Sequence, residues 1–232
     1  YDELWNWSIE HLDDFWESIL SYFDVQFDGT YSRVMDGKMP KTSWFQGIKL
    51  NYAEQIFRNK TSDYPSIVYK TEGAEPLELS WDELEKKVTA LQTYLIKVGI
   101  KEGDCVAAYL ANTPEAIISF LAVSSLGAVW TSTSPDFGTK SVIDRITQIK
   151  PKLLIAVNQY QYGGKTFNKQ ETLSEILSAI PSIKHLILIG DIDNPRSDQN
   201  VTITPWTEAL KNTNESLKFS RVDFSAPIWV LY

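Results

Sequence analysis

A chain of 232 residues with 43% hydrophobic and 22% charged side chains has enough apolar material for a packed core, which excludes a largely disordered polypeptide. Its net charge of -8 and pI near 4.9 speak against a nucleic-acid partner, which needs basic surface to displace counterions, so an anionic ligand would need a local site. The single cysteine, Cys105, excludes an intramolecular disulfide and a cysteine zinc cage and fits a reducing, cytoplasmic location; no run approaches the ~18 apolar residues of a membrane span, and the opening YDELWNWSIE lacks the order of a signal peptide.

Residues 1–62 hold four of the eight tryptophans (Trp5, Trp7, Trp16, Trp44) and show no alternation of strand and helix patterns, so they read as a mainly helical appendage. Leu12, Phe15, Trp16, Ile19, Leu20 and Phe23 recur at i, i+3, i+4, i+7, i+8 and i+11, one face of a helix expected to dock on a larger body. Residues 49–58, KLNYAEQIFR, read as a helix leading into that body. From Tyr64 onward strand and helix patterns alternate. Residues 66–70 and 77–79 suggest a hairpin around Glu72-Gly73-Ala74. Ser80 and Glu83 form a capping-box pair ahead of Leu84, Val88, Leu91 and Leu95, and Gly99 ends that helix. Residues 104–110 read as a short buried strand.

The stretch 111–138, ANTPEAIISFLAVSSLGAVWTSTSPDFG, organises the rest. Asn112 or Thr113 suits a helix cap, Pro114 the first helical position and Glu115 the positive end of the helix dipole, while Gly127 is placed to end the helix in a left-handed turn. Residues 128–130 resume an apolar strand that breaks into Thr131, Ser132, Thr133 and Ser134 before Pro135, Asp136, Phe137 and Gly138. Such a strand end is where open α/β sheets place ligands, although the same hydroxyls also suit the cap of the following helix.

Ile143, Ile146 and Ile149 mark the next helix, stopped by Pro151, and residues 152–157 a further buried strand. Residues 158–164 then open into a loop, followed by a helix carrying Leu173, Ile176, Leu177 and Ile180. A strand over 185–189, a surface loop over 190–204, a short helix begun by Thr204 and Pro205, and a strand over PIWVLY (227–232) complete the chain. Strands joined by helices predict an α/β fold with a mostly parallel sheet and flanking helices. The absent initiator methionine and an ending inside a strand pattern lead us to expect a piece of a longer polypeptide.

Gly163-Gly164-Lys165-Thr166 lies where a phosphate loop would sit, but a Walker A motif needs glycine five positions before Gly164, and Gln159 stands there. Glycines that allow close backbone approach, amides of a helix starting just beyond, and the Lys165 charge still describe an anion site, with a solvated lysine on a flexible loop as the alternative. Two distant histidines cannot supply HExxH, and no GxSxG elbow is present. Asp13 and Asp14, and likewise Asp144 and Arg145, suit solvated helix faces.

PEAIISFLAVSSLGAVWTSTSPDFG resembles the acyl-CoA synthetase branch of the adenylate-forming enzymes, and its SPDFG ending, with WSIEHLDDFWESI near the start, resembles the acetoacetyl-CoA synthetases (acetoacetate–CoA ligases). The resemblance implies a cap segment over 1–62 and the first portion of an AMP-binding (adenylation) domain over 63–232, ending before the family's phosphate loop. It implies acetoacetate, ATP and coenzyme A as small-molecule substrates with magnesium in the full-length parent, a role in lipid and ketone-body metabolism, and no catalytic or metal residue within this stretch. Acetyl-CoA synthetases meet the nucleotide end of coenzyme A with the corresponding turn and a following basic residue. Ser134, Pro135 and Asp136, with Lys165 for phosphate, become by resemblance the coenzyme A surface. The relatives carry an aromatic residue and glycines in that turn, so Asp136 is left to cap the helix after Gly138 or to meet a ribose hydroxyl. An acetyl- or propionyl-CoA synthetase, and a non-catalytic α/β interaction module, are the competing readings; oligomeric state is left open.

Overall fold

The computed structural model describes residues 1–190, 200–211 and 213–232. Part of the loop expected over 190–204 lies outside the described residues. The first part comprises α1 (Asp2–Glu10), α2 (Leu12–Tyr22), the short strands β1 (Asp28–Gly29), β2 (Met35–Asp36), β3 (Ser43–Trp44) and β4 (Ile48–Leu50), and α3 (Tyr52–Phe57). A hairpin of β5 (Ile67–Tyr69) and β6 (Leu77–Leu79) follows, then α4 (Trp81–Lys97), β7 (Cys105–Tyr109), α5 (Pro114–Ser125), β8 (Val129–Thr133), α6 (Thr139–Ile149) and β9 (Leu153–Val157). The remainder is β10 (Gln159–Tyr162), β11 (Lys165–Asn168), α7 (Gln170–Ala179), β12 (His185–Ile189), β13 (Thr202–Pro205), α8 (Trp206–Ala209) and β14 (Val222–Asp223).

Five strands form one sheet in the order β13-β12-β9-β7-β8, every neighbouring pair parallel. A parallel sheet needs cover on both faces, which is why the inner strands β7, β9 and β12 are largely apolar along their length. Val106 and Ala108 of β7, with Leu153 and Ile155 of β9, pack toward Leu91 and Leu95 of α4 and Leu121 of α5. The intervening Ala107, Tyr109, Leu154 and Ala156 face Val142 and Ile146 of α6 and Leu173 and Ile176 of α7. The chain leaves β7 over one face through α5 and leaves β9 over the other through α7. The carboxyl ends of β7 and β9 therefore flank the crevice where connections diverge, the usual ligand position in open α/β sheets.

The capping box forms as expected, with the Ser80 hydroxyl accepting from the Glu83 amide and the Glu83 carboxylate accepting from the Ser80 amide. Gly99 and Gly127 adopt left-handed backbone at φ 87° and 67°. Four expectations are corrected. Residues 49–58 do not form one helix, because Asn51 breaks the segment. Its Oδ1 accepts from the Ala53 and Glu54 amides at 3.0 and 3.3 Å and starts α3 only there, leaving β4 free to pair with β1 and β14. The apolar stripe of α2 is only partly covered: Leu20 packs against Val34, Phe45 and Ile48, and Trp16 meets Trp44 edge-on at 5.9 Å. Leu12, Trp16 and Phe23 remain 36%, 41% and 54% exposed. Residues 202–205 form a strand rather than loop, since β12 offers them a parallel edge, and the short helix expected there follows at Trp206–Ala209 with Pro205 as its N-cap. PIWVLY runs along β8 through a single bridge, Trp130 to Trp229, with the Trp130 amide donating to the Ile228 carbonyl at 2.9 Å and the Val230 amide donating to the Trp130 carbonyl at 2.8 Å.

Candidate functional site

Ser134 to Phe137 make a turn directly after β8, closed by the Phe137 amide donating to the Ser134 carbonyl at 3.2 Å, with Pro135 in the second position where its fixed φ fits. Ser134 and Asp136 are exposed and Pro135 is buried. The Pro135 carbonyl accepts the Tyr109 hydroxyl at 2.8 Å, which ties the turn to the end of β7. Phe137 lies under the Arg145 guanidinium, 4.6 Å from ring centroid to Cζ, so α6 holds the other end of the turn. Gly138 is the N-cap of α6, and among the described residues no hydrogen bond ties the exposed Asp136 side chain to the first turn of that helix.

Burial, with smaller contributions from Tyr160 and Asp136, pushes the Tyr109 phenol up to about 12. Tyr109 thus stays protonated and keeps donating to Pro135 across the neutral range. Tyr160 belongs to the segment that the sequence presents as a loop before a helix. The structure corrects this: β10 and β11 pair antiparallel from Gln159 opposite Asn168 to Tyr162 opposite Lys165. Gly163 and Gly164 form the turn at φ 59° and 71°, the positive values that a two-residue hairpin loop requires. Tyr160 stacks on Phe167 at 5.1 Å, and the Lys169 ammonium sits 5.5 Å from the Tyr160 ring centroid.

Lys165 is therefore on a strand and not at a helix start, because α7 begins at Gln170. It is exposed at the hairpin tip, roughly 10 Å along the ladder from the sheet edge at the rise of an extended strand, and its ammonium has no ion-pair partner among the described residues. The Gly163 and Gly164 amides donate to Glu72 Oε1 and Oε2 at 3.2 and 2.9 Å. Ser134, Pro135 and Asp136 thus stand at the carboxyl end of the sheet beside Tyr109 and Tyr160, while Lys165 extends outward from the same end on its hairpin.

Ser134 also borders a cleft of about 340 Å³ with Asn112, Ser132 and Thr133 on its polar side and Phe120 and Trp229 on its apolar side. Phe120 and Trp229 lie 4.8 Å apart. Concave sites with an apolar wall and a few polar groups suit organic ligands that carry both characters. Among the described residues no group of three or more His, Cys, Asp or Glu side chains is placed to hold a metal ion, and no helix is long and apolar enough to cross a membrane. Sequence reasoning missed Tyr109, Tyr160, Glu72 and Trp229 as members of this region. A tyrosine closing an otherwise apolar strand was the available signal for Tyr109; the others depend on which strands become neighbours.

A family profile described as AMP-binding enzyme matches residues 54–226, and one described as acetyl-coenzyme A synthetase N-terminus matches residues 1–56. The chain belongs to the AMP-binding enzyme family. Over its whole length it is similar to acetoacetyl-CoA synthetases, being 33% identical over 244 residues to that of Macaca fascicularis and 33% identical over 239 residues to that of Rhizobium meliloti. The solved structure of acetoacetyl-CoA synthetase from Streptomyces lividans matches all of this chain with a TM-score of 0.93 at 36% sequence identity. The chain spans 36% of the length of each of these relatives.

Proposed function

We propose that the chain supplies the N-terminal part of an ATP-dependent acetoacetate–CoA ligase, which joins acetoacetate to coenzyme A through an acyl-adenylate with release of diphosphate and AMP. Similarity to acetoacetyl-CoA synthetases along all of its residues carries this reading. Residues 1–62 act as the cap and residues 63–232 as the first portion of the adenylation domain. Adenylation turns a poor acylating agent into a reactive mixed anhydride, and that chemistry needs donors and cations aimed at phosphoryl oxygens. The described residues present no magnesium cluster, and we assign the chain no step through that metal.

The chain's own contribution is to bind and orient coenzyme A. Tyr109 holds the Pro135 carbonyl and Arg145 holds Phe137, so the outward groups of Ser134 and Asp136 are kept on a fixed turn. Ser134 offers a hydroxyl and Asp136 an acceptor for sugar hydroxyls, while the unpaired Lys165 ammonium supplies the charge for a phosphate. Residues 1–232 alone form no thioester, because their role is confined to this surface.

Isothermal titration of coenzyme A against the chain and its Lys165→Ala variant tests the binding role. Weakened binding is expected, and equal affinity removes Lys165 from the site. Acetoacetyl-CoA formation by residues 1–232 with acetoacetate, ATP and coenzyme A would overturn the assignment of a binding role alone.

A further inference from the structure

The tip of the β10–β11 hairpin already holds an anion of the chain itself. The amides of the two central residues of a two-residue hairpin loop take no part in the ladder, so Gly163 and Gly164 present two adjacent unpaired donors. Successive amides of this kind make a small concave anion seat. Glu72, from the turn between β5 and β6, fills it with one carboxylate oxygen on each amide, at 3.2 and 2.9 Å. The two hairpins are separate two-stranded sheets, and the contact bridges 91 and 92 positions of sequence. Nothing in the fold of either hairpin requires it. Glu72, Gly163 and Gly164 are all exposed, and Lys165 next to the seat keeps its ammonium free of ion pairs among the described residues.

We propose that Glu72 is an internal competitor for this seat, a latch that blocks the hairpin tip until the phosphate of an incoming nucleotide displaces it. This rests on the reading that a phosphate of coenzyme A reaches the hairpin tip beside Lys165. A phosphate group presents the same kind of acceptor oxygens as a carboxylate with more charge, and it gains the Lys165 ammonium, which Glu72 leaves unpaired. Displacement exchanges two backbone bonds to a carboxylate for two to a phosphate and frees the β5–β6 turn. The carboxylate also repels an approaching phosphate, so the latch opposes binding by occupancy and by charge together. No bond is made or broken; the device shifts a binding equilibrium.

The experiment combines amide hydrogen exchange at Gly163 and Gly164 with titration of coenzyme A, on the full chain and on Glu72→Ala, Glu72→Gln and Lys165→Ala. The latch predicts faster exchange at both glycines in Glu72→Ala and coenzyme A binding tightened about fivefold, the worth of one net hydrogen bond. Glu72→Gln keeps one acceptor without the charge, and an intermediate result is expected. Unchanged exchange in Glu72→Ala overturns the contact, and unchanged coenzyme A affinity in both Glu72 variants overturns the competition. Lys165→Ala reads the underlying assignment separately: if it leaves affinity unaltered while Glu72→Ala tightens binding, the latch stands and the lysine's role falls. If Lys165→Ala weakens binding and the Glu72 variants change nothing, the latch falls alone.

Discussion

The Arg221 guanidinium takes both carboxylate oxygens of Glu54, with Nε at 2.8 Å and Nη2 at 2.6 Å, across 167 residues of chain. Its Nη1 donates to Asp28 at 2.6 Å, so one side chain ties α3 and β1 to the segment entering β14. The hydrogen bonds it donates to Glu54 lead the interactions that push the arginine above its ordinary range, and it stays charged at any working pH. The pair is partly solvated, which limits its worth. Arg221→Ala should lower stability by about 1–2 kcal/mol in urea unfolding, and Arg221→Lys should recover less than half, because an ammonium cannot reproduce the two-pronged geometry. Full recovery by lysine would show that charge alone matters here.

Asn51 is 1% exposed, and its Nδ2 donates toward the carbonyls of Ser124, Ser125 and Ser220 at 2.9, 3.2 and 2.7 Å. Asn51→Asp keeps the cap of α3 but turns a carboxylate against three carbonyl oxygens. A loss of about 3 kcal/mol or more is expected, larger than for Asn51→Ala, since an unpaired buried charge is worse than an absent one. Chemical denaturation of the two variants ranks them, and an aspartate variant as stable as wild type would mean that the carbonyls find other donors.

Tyr109 links β7 to the turn after β8 by its hydroxyl. Tyr109→Phe leaves the Pro135 carbonyl without that donor and should destabilise the chain by roughly 1–2 kcal/mol. Its raised value also sets a pH signature. Between the ordinary 10.0 and about 12 the native state keeps a proton that the unfolded chain releases, so the contribution is fully present below 10 and is lost as pH rises through about 12. The stability difference between wild type and Tyr109→Phe should therefore shrink over that window. A difference that stays constant up to pH 12 would contradict the burial of the phenol.

Gly127 ends α5 at φ 67°, and a Cβ there would stand 2.5 Å from Val222 Cγ1. Gly127→Ala meets both a backbone penalty of about 1 kcal/mol and the overlap with β14. Thermal unfolding should show a clear loss, and Val222→Ala in the same chain should restore part of it. Without any such rescue the overlap with Val222 is not the source.

The strands β7, β8, β9 and β12 and the helices between them were legible in the sequence, since continuous apolar runs bounded by Gly99, Gly127 and Pro151 leave little choice of element, and the Ser80–Glu83 box marks a helix start by chemistry between near neighbours. The turn Ser134–Asp136 was legible for the same reason, as hydroxyls, proline and glycine closing an apolar strand. β13 was not, because residues 202–205 carry no apolar run and become a strand only beside β12. Local pattern also placed Leu12, Trp16 and Leu20 on one helix face, yet periodicity states which residues share a face and not how much of it is covered. Gly163-Gly164 is compatible with a loop and with a hairpin, and the choice fell to the ladder that Gln159–Tyr162 and Lys165–Asn168 form. What the chain alone determined was therefore the element type of β7, β8, β9, β12 and their connecting helices, the two-faced burial of those strands and the strand-end turn. Only the tertiary structure decided the order β13-β12-β9-β7-β8, and with it that Tyr109 meets Pro135 and that Glu72 meets Gly163 and Gly164, because hydrogen bonds between residues far apart in sequence exist only once packing has brought their backbones together.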